Sequence, residues 1–442
     1  MDEFFFKEHS YYKWKHIETI DNKLLVAGYC FLDRSNQQQV TRKRQQDKGA
    51  QMIAFEEAFR IVIDSVFETQ TETILFSDSG GRILDEDIAS DIDMPPFNRS
   101  AVDGYACNRM DLSNDLEVIE IIAAGKEPLK KVGRDQCSKI MTGAIVPAGC
   151  DIVFMVEESE NLSNGKIRFS GIEPKVNISF KGEDVRPGDI VLRKAKFIKP
   201  QDIAVMASVG HTRVQVKKRP LVGIISTGDE LVDPSEKPGI SQIRNSNSYQ
   251  LCTQVARAGG EAIDKGIAPD NEKVTFEMVE NAIKENDIVI VSGGVSMGDF
   301  DFVPSVLKRA GVKILFDQVN VQPGKPTIFG VHSKAVVFGL PGNPVSSFIQ
   351  FELLIRPFIN RMMGYTWMPI EHKLPMAVNY ERKSSVRLRL VPVIINEDME
   401  VVPVDFHGSA HLTALSYSDG IIALKPGLKS LQKGEIVNVR QI

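Results

Sequence analysis

Three loops in the second half of the chain place glycine beside acidic residues or proline, directly after a run of apolar residues. They read ISTGDEL (225–231), SGGVSMGDFDFV (292–303) and GLPGNPVSSF (339–348). Glycines let backbone N–H groups approach an anion closely, and a helix N-terminus adds favourable partial charge. The loops therefore indicate a site for a phosphate or another oxyanion.

Four carboxylates follow the first two of these apolar runs, and Asp270 follows another strand; together they outnumber what simple capping requires. Carboxylates beside phosphate-binding loops are typical of Mg²⁺, which takes one or two protein carboxylates together with water and phosphate oxygens. Asp299 has two open interpretations, as a Mg²⁺ ligand or as the cap of a helix that starts near Phe302. The acidic residues are Asp229, Glu230, Asp270, Asp299 and Asp301.

Lys325 lies between the second and third loops, and a tight turn lies within the third loop. Lys325 follows a Pro-Gly turn in VQPGKPTIFG (321–330), and its point charge suits a phosphate or another tetrahedral oxyanion. Pro341 and Gly342 predict a tight turn, after which Asn343 can cap a helix that begins at Pro344.

A second group of turn-rich motifs lies earlier in the chain. It comprises DMPPFNRSAVDGYA (93–106), IMTGAIVPAGCD (140–151) and KGEDVRPGD (181–189). Alone, each is more typical of a structural turn than of a site, although Arg99 and Asp103 could contact a polar ligand from across a cleft. His407 and His411 are four residues apart, but their neighbours do not predict a helix, which disfavours a metal site there.

The elements that must position these loops alternate between strand and helix from about residue 219. Such alternation predicts right-handed βαβ crossovers and a doubly wound, mostly parallel sheet. Ligands bind outside the carboxyl ends of the strands in such sheets, where the glycine-rich loops fall. The strand candidates are PLVGIIS, EAIDKGIA, DIVIVSGG, KILFDQV and KAVVFGLPG.

At 442 residues the chain is long enough for several domains, and the pattern changes along it. Clean helical periodicity starts at Met52, so the segment before it is either a disordered tail or a mis-annotated start. The expected fold is multidomain, with a central α/β domain, a mostly β module and a small C-terminal β domain. The predicted divisions are an extension at 1–51, a linker domain of 52–89 with 189–218, a β module at 90–188, the α/β domain at 219–369 and the C-terminal domain at 370–442.

Composition excludes several classes of protein. A formal net charge of -5 gives no basic footprint for nucleic acid, and no run of eighteen apolar residues predicts a membrane span. The five cysteines are scattered without C-x-x-C spacing, which argues against a disulfide framework or a zinc ribbon. A cytoplasmic protein is expected.

Together with HGSAHL (407–412), the motifs above occur in one order that closely resembles the molybdopterin molybdenumtransferase family. That family comprises bacterial MoeA and the E domains of gephyrin and its plant counterpart. The resemblance covers about residue 52 to the C-terminus. It implies an enzyme of molybdenum cofactor biosynthesis that uses Mg²⁺ to insert molybdate into adenylylated molybdopterin and releases AMP.

The resemblance also implies partners and an assembly. Members are typically homodimers whose cleft combines the α/β domain of one subunit with the β module of the other, so 52–89 with 189–218 is expected to support dimerisation. A transient contact with the adenylyltransferase that makes the substrate is expected as well. The alternatives are that adenylyltransferase itself, whose fold shares the α/β domain, and a gephyrin-like scaffold. The absence of an attached adenylyltransferase domain favours a dedicated enzyme.

Motif by motif, the resemblance assigns roles to individual residues. Glu230 and Asp301 are the expected key carboxylates at Mg²⁺, with Asp229 as a further ligand and Asp270 as a catalytic residue. Asp103, Thr142 and Asp184 are expected to close the site from the partner subunit. The expected substrate-binding residues are Gly293, Gly294, Ser296, Lys325, Pro341, Gly342, Asn343, Pro344 and Ser346.

Two features depart from the family pattern. Val102 stands where the family usually has methionine in SAMDGYA, a modest change in packing. The basic residue expected to contact molybdate from the C-terminal domain is not distinguished by the sequence, because RKSSVRLRL offers Arg382, Arg387 and Arg389.

Overall fold

The protein is represented by a computed structural model that describes residues 52–296, 301–405, 408 and 410–442. Within these ranges, we find no helix that combines the length and the apolar composition needed to cross a bilayer. The sequence predictions that lie outside the described residues concern the extension at 1–51, Asp299 and His407.

The described chain divides into two compact units. The larger unit contains residues 52–70 and 217–442, and the smaller unit contains residues 71–216. A π-helical turn (Phe351–Ile355) joins two helices of the larger unit. The helices are α1 (Phe55–Asp64), α2 (Pro200–Ser208), α3 (Asn247–Arg257), α4 (Glu272–Glu285), α5 (Val303–Arg309), α6 (Pro344–Gln350), α7 (Arg356–Met362) and α8 (Thr413–Ser416).

The smaller unit is mostly β-structure with the single helix α2. Its largest sheet has the order β5-β6-β4-β7, and its aromatic core stacks Tyr105 on Phe154. The strands are β1 (Thr71–Leu75), β2 (Ile88–Ala89), β3 (Arg99–Ser100), β4 (Gly104–Cys107), β5 (Glu117–Ile122), β6 (Gln136–Ile140), β7 (Ile152–Met155), β8 (Ser159–Asn161), β9 (Ile167–Phe169), β10 (Ile178–Ser179), β11 (Ile190–Leu192) and β12 (Arg213–Lys217).

The larger unit is built on a six-stranded sheet. Its order is β16-β13-β17-β21-β20-β18, in which the first four strands are parallel and β20 pairs antiparallel with both β21 and β18, so that β20 is the one reversed strand of this sheet. The strands of this part of the chain are β13 (Leu221–Thr227), β14 (Leu231–Val232), β15 (Ile243–Arg244), β16 (Glu261–Ala268), β17 (Ile288–Ser292), β18 (Lys313–Phe316), β19 (Val321–Gln322), β20 (Ile328–Val331) and β21 (Val336–Leu340).

This sheet confirms the predicted doubly wound architecture. Strand β17 is buried along its whole length, as expected for a parallel strand whose two faces are both covered by helices. Helix α3 packs with α6 and α7, whereas α4 packs with α5. Chain order reverses at β13, because β16 lies on one side of it and β17 on the other. Such a switch point is where open α/β sheets bind ligands.

The C-terminal residues form a second six-stranded sheet with a strand from the α/β segment. Its order is β19-β24-β26-β28-β22, with β25 paired to β24. Because β19 runs parallel to β24, Gln322 lies opposite Arg389. The strands are β22 (Glu371–Pro375), β23 (Tyr380–Glu381), β24 (Leu388–Ile395), β25 (Val401–Pro403), β26 (Gly420–Leu424), β27 (Ser430–Leu431) and β28 (Ile436–Gln441).

Candidate functional site

The carboxyl ends of β13, β17 and β21 lie side by side. Ser292 is paired with Ser226 on one side and with Leu340 on the other, so the loops that follow these strands start at the same edge. The Gly293 amide donates to the Leu340 carbonyl at 3.0 Å and fixes the start of its loop. The sheet register therefore brings the three loops together.

These loops surround a cleft of about 660 Å³, which we call the acidic cleft. Eight of the predicted site residues line it. Asp229 and Ser296 are described but do not line it. The lining residues are Thr227, Gly228, Glu230, Leu231, Ile243, Arg244, Asn245, Ser246, Asn247, Asp270, Ser292, Gly293, Gly294, Asp301, Gly342, Asn343, Pro344, Ala410 and Leu412.

Glycine is required where the cleft loops meet. Gly293 has φ of +100°, and a Cβ there would lie 2.6 Å from the Thr227 hydroxyl oxygen. Gly294 has φ of +63°, again in the left-handed region that side chains disfavour. At Gly342 a Cβ would lie 3.6 Å from the Gly293 Cα, an ordinary contact, so the space there does not by itself require glycine. The absence of side chains lets these turns pack closely and form a backbone-lined wall.

Local contacts hold the carboxylates of Asp229, Asp270 and Glu230 next to these glycine turns. The Asp270 amide donates to Asp229 Oδ1 at 3.0 Å, and the Asp229 amide donates to Asp270 Oδ2 at 3.4 Å. These reciprocal bonds join the loops after β13 and β16. The Glu230 carboxyl carbon lies 2.7 Å from where a Cβ on Gly228 would be, so this carboxylate folds back over the turn.

The charge of the acidic cleft determines which ligands it can accept. Of the described residues, Glu230, Asp270 and Asp301 line it, against the single cation Arg244, whose Nε donates to the Glu236 carbonyl at 3.0 Å. A pyrophosphate among three carboxylates would be repelled unless a cation bridged them. Among the described residues, no group of three or more acidic, histidine or cysteine side chains forms a ready-made metal cage. This donor set fits Mg²⁺, which relies on few carboxylates and on substrate oxygens.

The sequence analysis missed the segment IRNSNS (243–248), which lines the cleft between β15 and α3. Asn247 Nδ2 donates at 2.8 Å both to Ser292 Oγ and to the Gly342 carbonyl, so it joins the loops after β17 and β21. The Asn245 side chain bonds to Ser226 and Ser248 below the cleft. Four short polar side chains at a helix start were the available signal, but helix capping explains such a pattern equally well.

A second cavity of about 310 Å³ has the opposite charge. Lys325, Arg387 and Arg389 line it together with Pro341 and Ser346, and no carboxylate of the described residues does. We call it the cationic pocket. Its other lining residues are Gln322, Pro323, Gly324, Pro326, Asn343 and Gly408.

The structure separates the three arginines that the sequence left equivalent. The Arg382 guanidinium is buried and donates to the carbonyls of Leu428, Arg387 and Lys425, which is a structural role. Pairing of β19 with β24 instead places Arg387 and Arg389 beside the turn that carries Lys325.

Asn343 lines both cavities. It occupies the N-cap position of α6, and its carbonyl accepts the Ser347 amide at 3.1 Å. The expected side-chain cap is wrong, because the Asn343 side chain makes no capping hydrogen bond to the described residues of α6. Pro344 already removes one amide that would need a cap. The Asn343 side chain therefore stands at the wall that the cavities share.

In the smaller unit, the three turn-rich motifs converge. Asp103 Oδ1 accepts the Thr142 amide at 2.6 Å and the Thr142 hydroxyl at 2.8 Å. These bonds, the backbone one most strongly, hold the pKa of the Asp103 carboxyl below its usual value. The Asp184 amide donates to the Met94 carbonyl, and Asn98 Oδ1 accepts the Lys181 amide. Asp103 and Thr142 thus form an exposed, ordered pair.

Family profiles match nearly all of the described chain. The MoeA N-terminal region (domain I and II) matches residues 53–210, and the MoeA C-terminal region (domain IV) matches residues 374–442. Between them, the profile described as "Probable molybdopterin binding domain" matches residues 223–361, the segment that contains the acidic cleft loops.

Curated relatives and solved structures agree with these matches. A molybdopterin molybdenumtransferase of Bacillus subtilis is 33% identical over 88% of this chain and 93% of its own, and one of Haemophilus influenzae is 35% identical over 84% and 94%. A crystal structure of the molybdopterin biosynthesis MoeA protein from Pyrococcus horikoshii OT3 matches with a TM-score of 0.77 and 30% identity. It covers 89% of this chain and 100% of that one.

Proposed function

Since this chain belongs to the molybdopterin molybdenumtransferase family, a family of transferases in molybdenum cofactor biosynthesis, we propose that it inserts molybdate into adenylylated molybdopterin and releases AMP in a Mg²⁺-dependent reaction. The observation that carries this proposal is the pair of oppositely charged cavities that share Asn343. The substrates are a pyrophosphate ester and a small tetrahedral dianion. One site that binds through a metal and one that binds an anion directly match those two chemistries.

Glu230 and Asp301, which line the acidic cleft, would hold Mg²⁺, assisted by Asp270, and we propose Asp229 as a further ligand although its side chain does not line the cleft. The bound ion would neutralise the pyrophosphate and the charge that develops as its P–O bond breaks. Gly293 and Gly294 would hold the phosphates, and Gly342 and Pro344 would shape the floor. We propose Ser296, on the same loop, as a further phosphate contact, although it does not line the cleft. Asp229 acts at least through Asp270, because their reciprocal bonds fix the position of the second carboxylate.

The carboxylates also have a part of their own in releasing AMP. Glu230 or Asp301 would orient a water molecule against the phosphoanhydride and accept its proton as the oxygen attacks phosphorus. The P–O bond to the leaving phosphate breaks, so that AMP departs and the pterin keeps its phosphate monoester. Correct placement of the water relative to phosphorus is the main requirement of such a step.

In the cationic pocket, Lys325, Arg387 and Arg389 would bind molybdate. Charge-assisted hydrogen bonds from guanidinium and ammonium groups are the strong contacts for a tetrahedral oxyanion. Ser346 is 2% exposed and Pro341 stands beside it, so both would limit the size of the bound anion. Asn343 would stand where molybdate meets the substrate in the acidic cleft.

The activity is tested with the purified protein, adenylylated molybdopterin, Mg²⁺ and molybdate. We expect AMP release that requires molybdate, together with formation of the molybdenum cofactor. Release of AMP at the same rate without molybdate would contradict the insertion reaction. Consumption of ATP with free molybdopterin would instead identify an adenylyltransferase.

We also propose that the working form is a homodimer in which Asp103, Thr142 and Asp184 reach the acidic cleft of the partner subunit, with 52–89 and 189–218 as the dimerisation domain. Mixed dimers test this arrangement. If sites form between subunits, dimers of an Asp103→Ala chain and an Asp301→Ala chain contain one intact site and regain about half of the wild-type activity. If each site forms within one chain, both sites are damaged and the mixed dimers stay inactive.

Two further features belong to the proposal. Cys107, Cys137, Cys150 and Cys252 are free thiols, which suits the reducing cytoplasm. The adenylylated substrate is a reactive anhydride, so a transient contact with the adenylyltransferase that makes it would protect it from water. A pull-down with that enzyme, in the presence and absence of substrate, measures this contact.

A further inference from the structure

Two side chains on the floor of the acidic cleft are almost fully buried and yet have a polar atom without a partner. Thr227 and Asn247 are each 8% exposed, and both line the cleft. Within the described residues, neither Thr227 Oγ1 nor Asn247 Oδ1 makes a hydrogen bond. A buried polar group that lost water and gained no partner is destabilising, which points to a ligand that completes it.

The orientation of the Asn247 amide is fixed by its neighbours. The Gly342 carbonyl can only accept a hydrogen bond, so the amide nitrogen must face it, as it does at 2.8 Å. The same nitrogen donates to Ser292 Oγ at 2.8 Å. Oδ1 is therefore the atom without a partner among the described residues, and it is purely an acceptor. Less than 1 Å² of its surface is exposed, as for Thr227 Oγ1, so a ligand reaches either atom only when the cleft loops around it shift.

Thr227 stands under the glycine turn. A Cβ on Gly293 or Gly294 would lie 2.6 or 3.1 Å from Thr227 Oγ1, so the hydroxyl is packed against that turn. Unlike Asn247 Oδ1, this hydroxyl can donate as well as accept. The two side chains together offer an acceptor and an adaptable hydroxyl on one floor.

An acceptor cannot bind an ionised phosphate, because phosphate oxygens also accept. We infer that Asn247 and Thr227 bind the organic part of the substrate, with Asn247 Oδ1 accepting a hydrogen bond from an N–H or O–H group. This inference rests on the proposed function, in which the substrate carries three such sources. The pterin ring presents N–H donors beside ring acceptors, and the adenylyl group presents the amino group of adenine and the hydroxyls of the ribose.

The test measures binding of AMP and of molybdopterin without its adenylyl group to Thr227→Val and Asn247→Leu. The first variant removes only the hydroxyl and keeps the side-chain shape. We expect about tenfold weaker binding of one ligand, the cost of one neutral hydrogen bond. Weaker molybdopterin binding assigns the floor to the pterin, whereas weaker AMP binding assigns it to the adenosine.

Ser138→Ala is the matched control. Ser138 is fully buried in β6, and its hydroxyl also has no hydrogen-bond partner among the described residues, but it lines none of the cavities above. Its removal should leave both affinities unchanged, and both Ser138→Ala and Thr227→Val should keep or raise Tm. If Asn247→Leu does not fold, the affinities of Thr227→Val for AMP and for molybdopterin still test whether the floor binds the organic part of the substrate.

Wild-type affinity for both ligands in the two floor variants would overturn the inference. That failure differs from failure of the proposed function, which appears in the wild-type protein as AMP release that ignores molybdate. If the wild-type enzyme releases AMP only with molybdate while the floor variants bind both ligands normally, the proposed function is supported. The same result would show that Asn247 and Thr227 do not bind the organic part of the substrate.

Discussion

The acidic cleft and the cationic pocket bind oxyanions in the proposed reaction, yet their walls have opposite charge. Among the residues that the structure describes, three carboxylates and one guanidinium line the first, and one ammonium and two guanidinium groups line the second. The first can attract a pyrophosphate only through a bridging cation, whereas the second attracts an anion directly. Similar ligands can thus be recognised by opposite electrostatics, which keeps the two substrates in separate places.

Loss of a cleft carboxylate should have the largest effect. Glu230→Gln and Asp301→Asn keep side-chain shape and remove charge, and we expect molybdate-dependent AMP release to fall about a thousandfold in each. Molybdate affinity should stay within about twofold of wild type, since the cationic pocket is untouched. AMP-release kinetics and a molybdate-binding titration provide the two measurements.

Glu261→Gln is the control for this prediction. Glu261 is an exposed carboxylate at the opposite, amino end of β16, so its loss should leave the rate unchanged. Near-normal AMP release in both cleft variants would show that the reaction does not need the carboxylates of Glu230 and Asp301.

Metal removal should affect the acidic cleft and leave the cationic pocket functional. With EDTA in excess, we expect AMP release to fall at least about a hundredfold and to return on addition of Mg²⁺. Molybdate binding, measured calorimetrically, should remain, because its ligands are side-chain cations. Loss of molybdate binding in EDTA would show that the two sites are not electrostatically independent.

Removal of a pocket cation should weaken molybdate use without affecting the cleft. For Lys325→Gln and Arg389→Gln, we expect KM for molybdate to rise about ten- to a hundredfold, the cost of one or two charge-assisted hydrogen bonds. Affinity for AMP should not change. Lys334→Gln, at an exposed position before β21, is the matched control. A KM near the wild-type value in both pocket variants would place molybdate elsewhere.

The smallest effect on catalysis is expected at Arg382. Its guanidinium serves three backbone carbonyls, so Arg382→Gln should lower the free energy of unfolding by about 2–4 kcal/mol and leave KM for molybdate unchanged in the folded protein. Chemical denaturation measures the first quantity and steady-state kinetics the second. A raised KM for molybdate with an unchanged free energy of unfolding would indicate that Arg382 contributes to molybdate binding.

Local patterns were sufficient to predict most of the fold. The alternation of apolar strands and amphipathic helices from residue 219 predicted the parallel sheet, and burial of β17 on both faces explains its unbroken apolar run. Strand β20 was not predicted, and it is the one strand of this sheet that runs against the other five, since it pairs antiparallel with both β18 and β21. Strand composition does not encode direction, so the reversal had no local signal. The glycine and carboxylate loops stood out because only glycine fits their left-handed turns.

By itself, the sequence determined the family, the doubly wound sheet and the strand-end loops that contain Glu230 and Asp301. These follow from periodicity and from residue types that are readable one segment at a time. Only the tertiary structure decided the rest. Pairing of β19 with β24 placed Arg387 and Arg389, but not Arg382, on the cationic pocket, and Asn247 lies in the cleft by bonding to two loops distant in sequence. Such roles depend on contacts across the fold, for which a single sequence holds no local signal.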